Sequence, residues 1–570
     1  MYTAGTAILD ALWENGVSHL FANLGSDHPA FIESLAQANA TGRPAPRLIT
    51  CPNEMVALSA AQGFAQVSGR AQTVLVHVDC GTLSLGGAVH NAAKGRVPVL
   101  IFAGESPMTQ HGEMRGSRNE FIHWIQDVFD QRGIVRGYVK YNGEIRTGTN
   151  AKQMVHRALQ FACSDPKGPV YLTAAREVLE QETPQTSNET ASYALIGRSA
   201  IPPSDIMAVT NELISARRPL IVTTYLGRDP AAIEELTRLC RSAAIGLLES
   251  VPTHFNFPAD DPMYLGSQVN EPQQNPVLAD ADVILLLDTD VPWIPTVNKP
   301  SDHARISHID VDPLKEQMPL WHVPATRVFR ADSATALRQM NEYLASKVLD
   351  SAVIQERRCH YAQLHESHCK KLDTEQQPRT DAITPEYLTA TVRQFSDDQT
   401  IFLNEGITNY KAITDHLRVS RPGSLFTSGG GSLGWNGGAA IGMKLACPEK
   451  TVVCLTGDGS YLFSQPSTVH WMARRYKTPF LQVIYNNGGW KSPKLSMLAV
   501  HPDAYASRAR DIGVSFDPPP DYPGIATAAG GAYGCTVRES VNLEPVLKEA
   551  FKAVRDDGRC AVVDVSLPRL

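Results

Sequence analysis

Residues 452–490 constrain the fold of this chain more than any other stretch. Two apolar runs, at residues 451–456 and 480–485, flank a stretch with helical character, and this order predicts two parallel strands joined by a helix. Gly-Asp-Gly-Ser follows the first run, and Asn-Asn-Gly-Gly ends the second. Because open α/β sheets bind ligands at the carboxyl ends of their strands, we expect Asp458 and Asn487 to lie close together.

The two turns have the chemistry of a site for a metal-bound diphosphate. Carboxylate, amide and backbone carbonyl oxygens are hard ligands that suit Mg²⁺. The glycines allow the backbone to approach phosphate, and the helix that we expect to begin near Ser464 would present its N-terminus to the anion. Gly-Asp-Gly alone is also typical of a surface turn, but the whole strand–turn–helix–strand order ending in Asn-Asn is much more specific.

This segment resembles the thiamine diphosphate (ThDP) signature of the superfamily that includes acetolactate synthase, benzoylformate decarboxylase and pyruvate decarboxylase. The resemblance implies that Asp458, Asn487 and the carbonyl of Gly489 hold Mg²⁺. It also implies that both turns bind the cofactor, through Gly457, Asp458, Gly459, Ser460, Asn487 and Gly489. ThDP and Mg²⁺ are therefore the expected cofactors.

Strand and helix patterns alternate along the chain and predict an α/β protein with three doubly wound parallel-sheet domains. We place these at residues 1–181, 205–345 and 385–570, with polar linkers at 182–204 and 365–384. By resemblance they are the pyrimidine-binding, central and diphosphate-binding domains. The central domain has no Gly-x-Gly-x-x-Gly after a strand, which favours a structural role, and bound FAD or a CoA or ADP moiety is the alternative.

Composition narrows the class of protein. The 570 residues are 43% hydrophobic and 19% charged with a net charge of −7, which argues against nucleic-acid binding. Ten cysteines without a Cys-x-x-Cys pair indicate a reducing compartment. We expect no signal peptide and no membrane span. The C-terminal Pro568-Arg569-Leu570 resembles a peroxisomal address, so we expect a peroxisomal or cytoplasmic protein.

Glu54 is the candidate for activating the cofactor. It follows a predicted strand and begins a helix rich in small residues, among apolar neighbours that make a buried charge costly. A glutamate here could instead serve only to stabilise the helix N-terminus. The superfamily places a glutamate at this junction, where its carboxylate acts on the pyrimidine ring nitrogen. The resemblance therefore implies that Glu54 is both catalytic and cofactor-binding.

A glycine-rich loop at residues 427–434 carries one bulky side chain, Leu433, and precedes a predicted helix at 437–445. Glycine allows such a backbone to lie against a flat ring. The resemblance implies that Leu433 is the wedge that bends ThDP, and that the Gly431 carbonyl and the Leu433 amide bind the aminopyrimidine. A flexible surface loop is the alternative. Glu405 ends a predicted strand in the same domain, and the sequence assigns it no role.

Two segments supply candidates for contact with the substrate. Ser26 and His28 follow the first strand, and His77 lies in the apolar run before Asp79-Cys80-Gly81. Both segments look like benzoylformate decarboxylase, which implies active-site roles for Ser26 and His77, and we include His28 with them. A histidine that titrates near neutral pH suits proton transfer, although His77 could also be a core residue. Asp79-Cys80-Gly81 departs from the Gly-Pro-Gly of acetolactate synthases, which puts that particular activity in doubt.

Four further residues are less specific. His111 and His123 fall where relatives place substrate-facing residues, and the sequence assigns neither a role. Trp490 and Lys491 follow the second turn, in a stretch that is either a cover over the cofactor or an ordinary solvated loop.

These features predict a ThDP- and Mg²⁺-dependent carbon–carbon lyase or carboligase that acts on small-molecule 2-oxo acids or aldehydes. A peroxisomal 2-hydroxyacyl-CoA lyase is the nearest alternative. A ThDP-binding scaffold without catalysis fits less well with the intact set of Glu54, Asp458 and Asn487. Because Glu54 lies in the first domain and the other two lie in the third, the resemblance implies a homodimer or homotetramer with its sites at the subunit interface.

Overall fold

The computed structural model describes residues 2–187, 190–509 and 511–569, and these residues contain three six-stranded sheets. Every neighbouring pair of strands within them is parallel. Each sheet falls within one of the three predicted stretches of sequence. The predicted α/β fold with three parallel-sheet domains is therefore confirmed, while the domain boundaries stay a prediction.

The first and third sheets have the same topology. The first comprises β1 (His19–Ala22), β2 (Arg47–Thr50), β3 (Gln72–Val76), β4 (Val99–Glu105), β5 (Tyr141–Ile145) and β6 (Val170–Ala175) in the order β2-β1-β3-β4-β6-β5. The central sheet comprises β7 (Pro219–Thr223), β8 (Gly246–Ser250), β9 (Tyr264–Gln268), β10 (Val283–Leu287), β11 (Arg305–Asp310) and β12 (Arg327–Arg330) in the order β12-β11-β10-β7-β8-β9. The third comprises β13 (Thr400–Glu405), β14 (Leu425–Phe426), β15 (Thr451–Gly457), β16 (Leu481–Asn486), β17 (Tyr533–Val537) and β18 (Ala561–Ser566) in the order β14-β13-β15-β16-β18-β17. The third sheet thus repeats the first strand for strand.

Helices cover the faces of the sheets. Those in the first part of the chain are α1 (Ala4–Glu14), α2 (Pro29–Thr41), α3 (Glu54–Ser68), α4 (Val78–Ser84), α5 (Gly87–Lys94), α6 (Ile122–Ile125), α7 (Ala151–Cys163) and α8 (Arg176–Leu179). The middle part contains α9 (Pro203–Ser215), α10 (Pro230–Ala243), α11 (Pro276–Asp280), α12 (Ser333–Ala345) and α13 (Ser351–Glu375). The last part contains α14 (Pro385–Gln394), α15 (Tyr410–Leu417), α16 (Trp435–Ala446), α17 (Asp458–Phe463), α18 (Pro466–Tyr476), α19 (Lys491–Val500), α20 (Tyr505–Arg508), α21 (Tyr522–Gly530) and α22 (Leu543–Arg555).

Helices α3 and α16 join the first and third domains. They occupy equivalent positions, because each follows the edge strand of its own sheet. Small residues bring the two backbones together: a Cβ on Gly438 would lie 2.8 Å from the Val56 carbonyl oxygen, and one on Gly442 would lie 2.8 Å from the Phe64 nitrogen. Since Glu54 begins α3 and Leu433 directly precedes α16, this contact fixes the relative positions of two predicted cofactor-binding segments within one chain.

The central sheet reverses its strand order between β7 and β10, where α/β sheets commonly bind nucleotides. An ion network occupies this position. Arg96 from the first domain donates to both oxygens of Asp290, at 3.0 and 2.7 Å, and its guanidinium carbon lies 4.3 Å from the centre of the Tyr225 ring. Lys315 donates to Asp310 at 2.7 Å. The network joins the first domain to the central domain, and the structural role of the central domain stays a prediction.

The second predicted linker contains helical structure. Much of the polar stretch at 365–384 belongs to α13, which continues to Glu375. Besides the apolar Ile354 and Leu372, it buries two side chains with polar groups: Arg357 donates to carbonyls such as that of Ile214 at 2.7 Å, and Tyr361 donates to the Pro219 carbonyl at 2.6 Å. Charged residues on the surface of the helix interrupt the hydrophobic periodicity, so this pattern did not indicate a helix here.

Candidate active site

Asp458 and Asn487 follow the neighbouring strands β15 and β16, as the sequence predicts. Asp458 is 2% exposed, and its carboxylate accepts hydrogen bonds from the N–H groups of Gly459 at 2.9 Å and Gly488 at 3.0 Å. The two turns are thus in direct contact. Burial raises the pKa of Asp458 to about 6, against the opposing effect of these hydrogen bonds.

The side-chain oxygen of Asn487 supports the predicted metal site. Asn487 is 5% exposed and donates weakly to the Thr408 hydroxyl at 3.4 Å, while its Oδ1 is buried without a hydrogen-bond partner in the described chain. A buried acceptor without a donor is costly, and a cation beside the Asp458 carboxylate would satisfy it. The residues present therefore fit Mg²⁺, with the Gly489 carbonyl as the third predicted ligand. Within the described ranges no three His, Cys, Asp or Glu side chains converge on a metal site, and the predicted set contains only one carboxylate.

A helix begins close to Ser464, as expected, and a shorter helix precedes it. Asp458 is itself the first residue of α17, which ends at Phe463. A second helix, α18, begins at Pro466 after Gln465, whose φ of 58° breaks the helical path. The shorter helix was not expected, because the Gly-Asp-Gly-Ser sequence is typical of a turn, whereas here Gly459 and Ser460 continue directly into a helical turn.

Trp490 packs on the first turn. A Cβ on Gly459 would lie 2.7 Å from Cη2 of Trp490, so only glycine allows this approach. The Trp490 ring also meets Phe516 edge to face, with centroids 5.0 Å apart. Gly489 has a φ of 150°, which favours glycine as well. Lys491 begins α19, so the stretch after the second turn is helical.

Glu405, which the sequence left without a role, braces the glycine-rich loop. Its carboxylate is 2% exposed and accepts hydrogen bonds from the N–H groups of Trp435 and Asn436, each at 3.0 Å, and of Gly434 at 2.6 Å. Burial raises its pKa to about 7, against these hydrogen bonds. The carboxylate therefore caps the N-terminus of α16 directly after Leu433.

The glycine-rich loop also contacts the first domain. Asn91 donates to the Ser432 carbonyl at 2.9 Å and accepts from its N–H at 3.1 Å, and the Gly431 N–H donates to His90 at 3.1 Å. In the part of the chain that the structure describes, the Gly431 carbonyl and the Leu433 N–H make no hydrogen bond, and the Leu433 side chain is half-buried. These are the two groups that the resemblance assigns to the aminopyrimidine.

Glu54 lies at the start of α3, as predicted, and is 8% exposed. Asn53 caps the helix by accepting from the Val56 N–H at 3.1 Å. The Glu54 carboxylate accepts from Asn23 Nδ2 at 2.8 Å. A Cβ on Gly81 would lie 3.3 Å from the same carboxylate, so the residue at position 81 must be small. Asn23 therefore orients a carboxylate at the carboxyl edge of the first sheet.

His77 joins a hydrogen-bonded group that the sequence did not reveal. Its Nδ1 lies 2.5 Å from Asp27 Oδ1, and its Nε2 lies 2.9 Å from Gln126 Oε1. Burial disfavours the charged ring, but the hydrogen bond to Asp27, the negative charge of Asp27 and the hydrogen bond to Gln126 together outweigh it and raise the pKa of His77. His28 lies behind Asp27, fully buried, with Nε2 3.2 Å from Asp27 Oδ2. Its burial lowers its pKa.

Ser26 contacts His123 rather than His77. The Ser26 hydroxyl lies 3.1 Å from His123 Nε2, and His123 is fully buried. Arg176, at the carboxyl end of β6, donates to the Ser26 carbonyl at 3.2 Å. His111 is exposed and bonds only locally, to Gln110 and Glu113. Sequence reasoning missed Gln126 and Arg176, since each is a single polar residue without a surrounding motif.

The chain matches three family models, which cover most of its length. They describe the N-terminal TPP binding domain of thiamine pyrophosphate enzymes at residues 2–134, their central domain at 206–339 and their C-terminal TPP binding domain at 406–565. The chain therefore belongs to the thiamine pyrophosphate enzyme family.

Individual relatives are distant but span nearly the whole chain. A putative thiamine pyrophosphate-containing protein of Bacillus subtilis is 22% identical over 99% of this chain and 92% of its own. Benzoylformate decarboxylase of Pseudomonas aeruginosa is 25% identical over 86% of both chains. Acetolactate synthase isozyme 3 large subunit of Escherichia coli is 25% identical over 90% of this chain and 87% of its own.

Solved structures show the same fold. Benzoylformate decarboxylase of Polynucleobacter necessarius aligns with a TM-score of 0.79 at 17% identity, over 100% of this chain and 99% of that one. The 4-hydroxybenzoylformate decarboxylase of Rhodococcus jostii aligns with a TM-score of 0.77 at 20% identity, with the same coverage.

Two expectations about cellular location concern membrane-spanning helices and the C-terminal peroxisomal address. No helix among the described residues is long and apolar enough to cross a membrane. The proposed peroxisomal address includes Leu570, which lies outside the described residues. Arg569, beside it, donates to Asp517 at 3.0 and 2.9 Å. A peroxisomal location stays a prediction.

Proposed function

We propose that this chain is a ThDP- and Mg²⁺-dependent carbon–carbon lyase or carboligase that acts on 2-oxo acids or aldehydes. The observation that carries the proposal is the buried, unpartnered Oδ1 of Asn487 in the turn that contacts the Asp458 carboxylate, at the carboxyl ends of adjacent strands. The family of the chain and its benzoylformate decarboxylase and acetolactate synthase relatives support it.

When bound, ThDP supplies a nucleophilic carbon that adds to the substrate carbonyl and accepts the electron pair released with CO₂. The protein binds and orients this group. Asp458, Asn487 and the Gly489 carbonyl would hold Mg²⁺ beside the diphosphate. Leu433 and the Gly431 carbonyl would position the aminopyrimidine, and the Glu54 carboxylate would stabilise a proton on its ring nitrogen. Asn23 fixes the direction of that carboxylate.

His77 and Gln126 are suited to proton transfer near the substrate. The charged His77 ring donates from Nδ1 to Asp27 and from Nε2 to the Gln126 oxygen. Gln126 Nε2 is buried without a hydrogen-bond partner in the described chain. Rotation of this amide would present an N–H to the deprotonated ring. Asp27 and Gln126 can therefore form hydrogen bonds with His77 in either of its protonation states. A group that gives and takes a proton requires such partners.

We also propose that the functional unit is a homodimer or a homotetramer. Apolar side chains are exposed next to the site in the first domain, in the segment that carries His123 and Gln126: Phe121 is 77% exposed, Ile125 71% and Phe129 fully exposed. A contiguous exposed apolar segment of this kind favours a protein contact. Burial against a second copy would close the site beside His77, and a symmetric dimer is the commonest assembly that does so.

The test combines cofactor binding with turnover. Calorimetry should detect Mg²⁺-dependent ThDP binding by the wild-type protein and its loss in Asp458→Ala, while Asp557→Ala, which changes an exposed aspartate of the same domain, should bind normally. The loaded protein is then assayed with a panel of 2-oxo acids, aldehydes and 2-hydroxyacyl-CoAs. Unchanged affinity in Asp458→Ala would contradict the metal site. Turnover of the acyl-CoAs alone would favour the alternative lyase, and no turnover of any substrate would favour the scaffold.

A further inference from the structure

Arg176 is a buried cation without an anionic partner. The residue is 9% exposed, and its guanidinium contacts the Ser26 carbonyl at 3.2 Å, Asn119 Oδ1 at 3.1 Å and His123 Nε2 at 3.4 Å. None of these three partners is an anion. No carboxylate of the described chain lies within the 4.0 Å of an ion pair with Arg176.

Other buried cations in this protein are compensated. Lys315 lies 2.7 Å from Asp310, and Lys152 lies 2.7 Å from Glu14. Arg228 lies 2.9 Å from Asp165. Arg357 has no carboxylate, but it donates to carbonyls at the C-terminal ends of α9 and α10, where the helix dipole is negative. Because an uncompensated buried charge is costly, Arg176 requires an anion from outside the chain.

The Ser26 hydroxyl lies close to Arg176, since both contact the same nitrogen of His123. His123 Nδ1 accepts from the Asn119 N–H at 3.3 Å, and its Nε2 lies 3.1 Å from the Ser26 hydroxyl and 3.4 Å from the Arg176 guanidinium. Burial and the nearby Arg176 lower the pKa of His123, which keeps the ring neutral. Arg176 and Ser26 thus lie side by side at the edge of the sheet that carries His77, and both a guanidinium and a hydroxyl can donate to an anion.

The carboxylate that is lost as CO₂ is a poor partner for this arginine. Its negative charge moves away in the transition state, so a guanidinium that stabilised it in the ground state would raise the barrier. A carboxylate or sulfonate that remains in the product carries no such penalty. This inference rests on the proposed function: we propose that Arg176 and Ser26 bind a second anionic group of the substrate. The substrate is therefore a 2-oxo acid with a carboxylate or sulfonate at its far end.

The test compares substrates that differ only in that charge. Holoenzyme loaded with ThDP and Mg²⁺ is assayed with 2-oxo dicarboxylates of increasing length and with the ω-amide of each. We expect kcat/KM to favour the best dicarboxylate over its amide by about 10- to 100-fold, mainly through KM, as for a charged hydrogen bond. Arg176→Gln should reduce this preference to nearly one, and Arg176→Lys should retain part of it. Arg118→Gln removes a neighbouring charge that is already paired with Asp127, and should keep the preference.

The outcomes separate this inference from the proposed function. Turnover of 2-oxo acids with no preference for the second charge, or a preference that Arg176→Gln leaves intact, would overturn the inference and leave the proposed function standing. If no 2-oxo acid is turned over, the proposed function fails, and calorimetry of the loaded protein with a dicarboxylate decides the inference. Binding that Arg176→Gln abolishes would support it, and absent or unchanged binding would overturn it. Normal ThDP binding and thermal melting in both Arg176 variants exclude a folding defect.

Discussion

Replacement of Gly442 by alanine tests whether the contact of α3 with α16 holds the first and third domains together. The new Cβ would lie 2.8 Å from both the Ala60 carbonyl carbon and the Phe64 nitrogen, and it would overlap the Ala60 carbonyl oxygen. Non-bonded carbon contacts lie at about 3.5–4.0 Å. All three obstacles are backbone atoms, so no side-chain rotation can relieve the clash and the helices must separate.

The magnitude follows from two opposing contributions. Overpacking of a core costs about 1–3 kcal/mol, and a backbone obstacle places Gly442→Ala at the upper end. Alanine in a helix interior returns about 1 kcal/mol relative to glycine. The expected net destabilisation is about 2 kcal/mol, which corresponds to a melting temperature lower by about 4–8 °C for a domain of this size. Separation of α3 from α16 should also weaken ThDP binding.

Thermal melting with and without ThDP and Mg²⁺, together with calorimetry of the cofactor, measures both effects. Gly137→Ala is the matched control, because a Cβ at this exposed position meets nothing within 4 Å. Its stability should change by no more than about 0.5 kcal/mol. A Gly442→Ala protein that melts at or above the wild-type temperature would refute the reasoning about this helix pair.

Three further predictions address the site. Glu54→Gln should bind ThDP with nearly wild-type affinity but lose almost all turnover, because a neutral amide cannot stabilise a protonated ring nitrogen; substantial turnover would contradict its assigned role. Mixed with Asp458→Ala under conditions of subunit exchange, Glu54→Gln should recover activity toward half the wild-type value for each mixed dimer, and no recovery despite proven exchange would place each site within one chain. The Asp27 carboxylate raises the pKa of His77, so in Asp27→Asn the alkaline limb of the pH–rate profile should move to lower pH, as the proton on His77 is lost sooner. An unmoved limb would exclude the charged His77 as the group whose titration controls the rate.

The sequence-based predictions fall short where an element depends on contacts with residues that are distant in sequence. Asp458 and Asn487 were predictable as neighbours because two buried strands and two glycine turns occur in one continuous segment, and parallel strands place their carboxyl ends together. The helical character of 365–375 was not, because α13 buries few side chains, and two of these, Arg357 and Tyr361, are held by hydrogen bonds to backbone carbonyls.

The sequence by itself determined the three α/β domains and the position of Glu54 at a strand-to-helix junction, because periodicity and glycine turns are properties of neighbouring residues. The resemblance of its motifs to a known family supplied the cofactor class. Only the tertiary structure decided the partners of the polar groups. Gln126 and Arg176 reach His77 and Ser26 from positions that are distant in sequence, and Glu405 caps a helix 29 to 31 residues away. The pairing and the protonation of such groups depend on which of them share a buried space, and no single stretch of sequence contains that information.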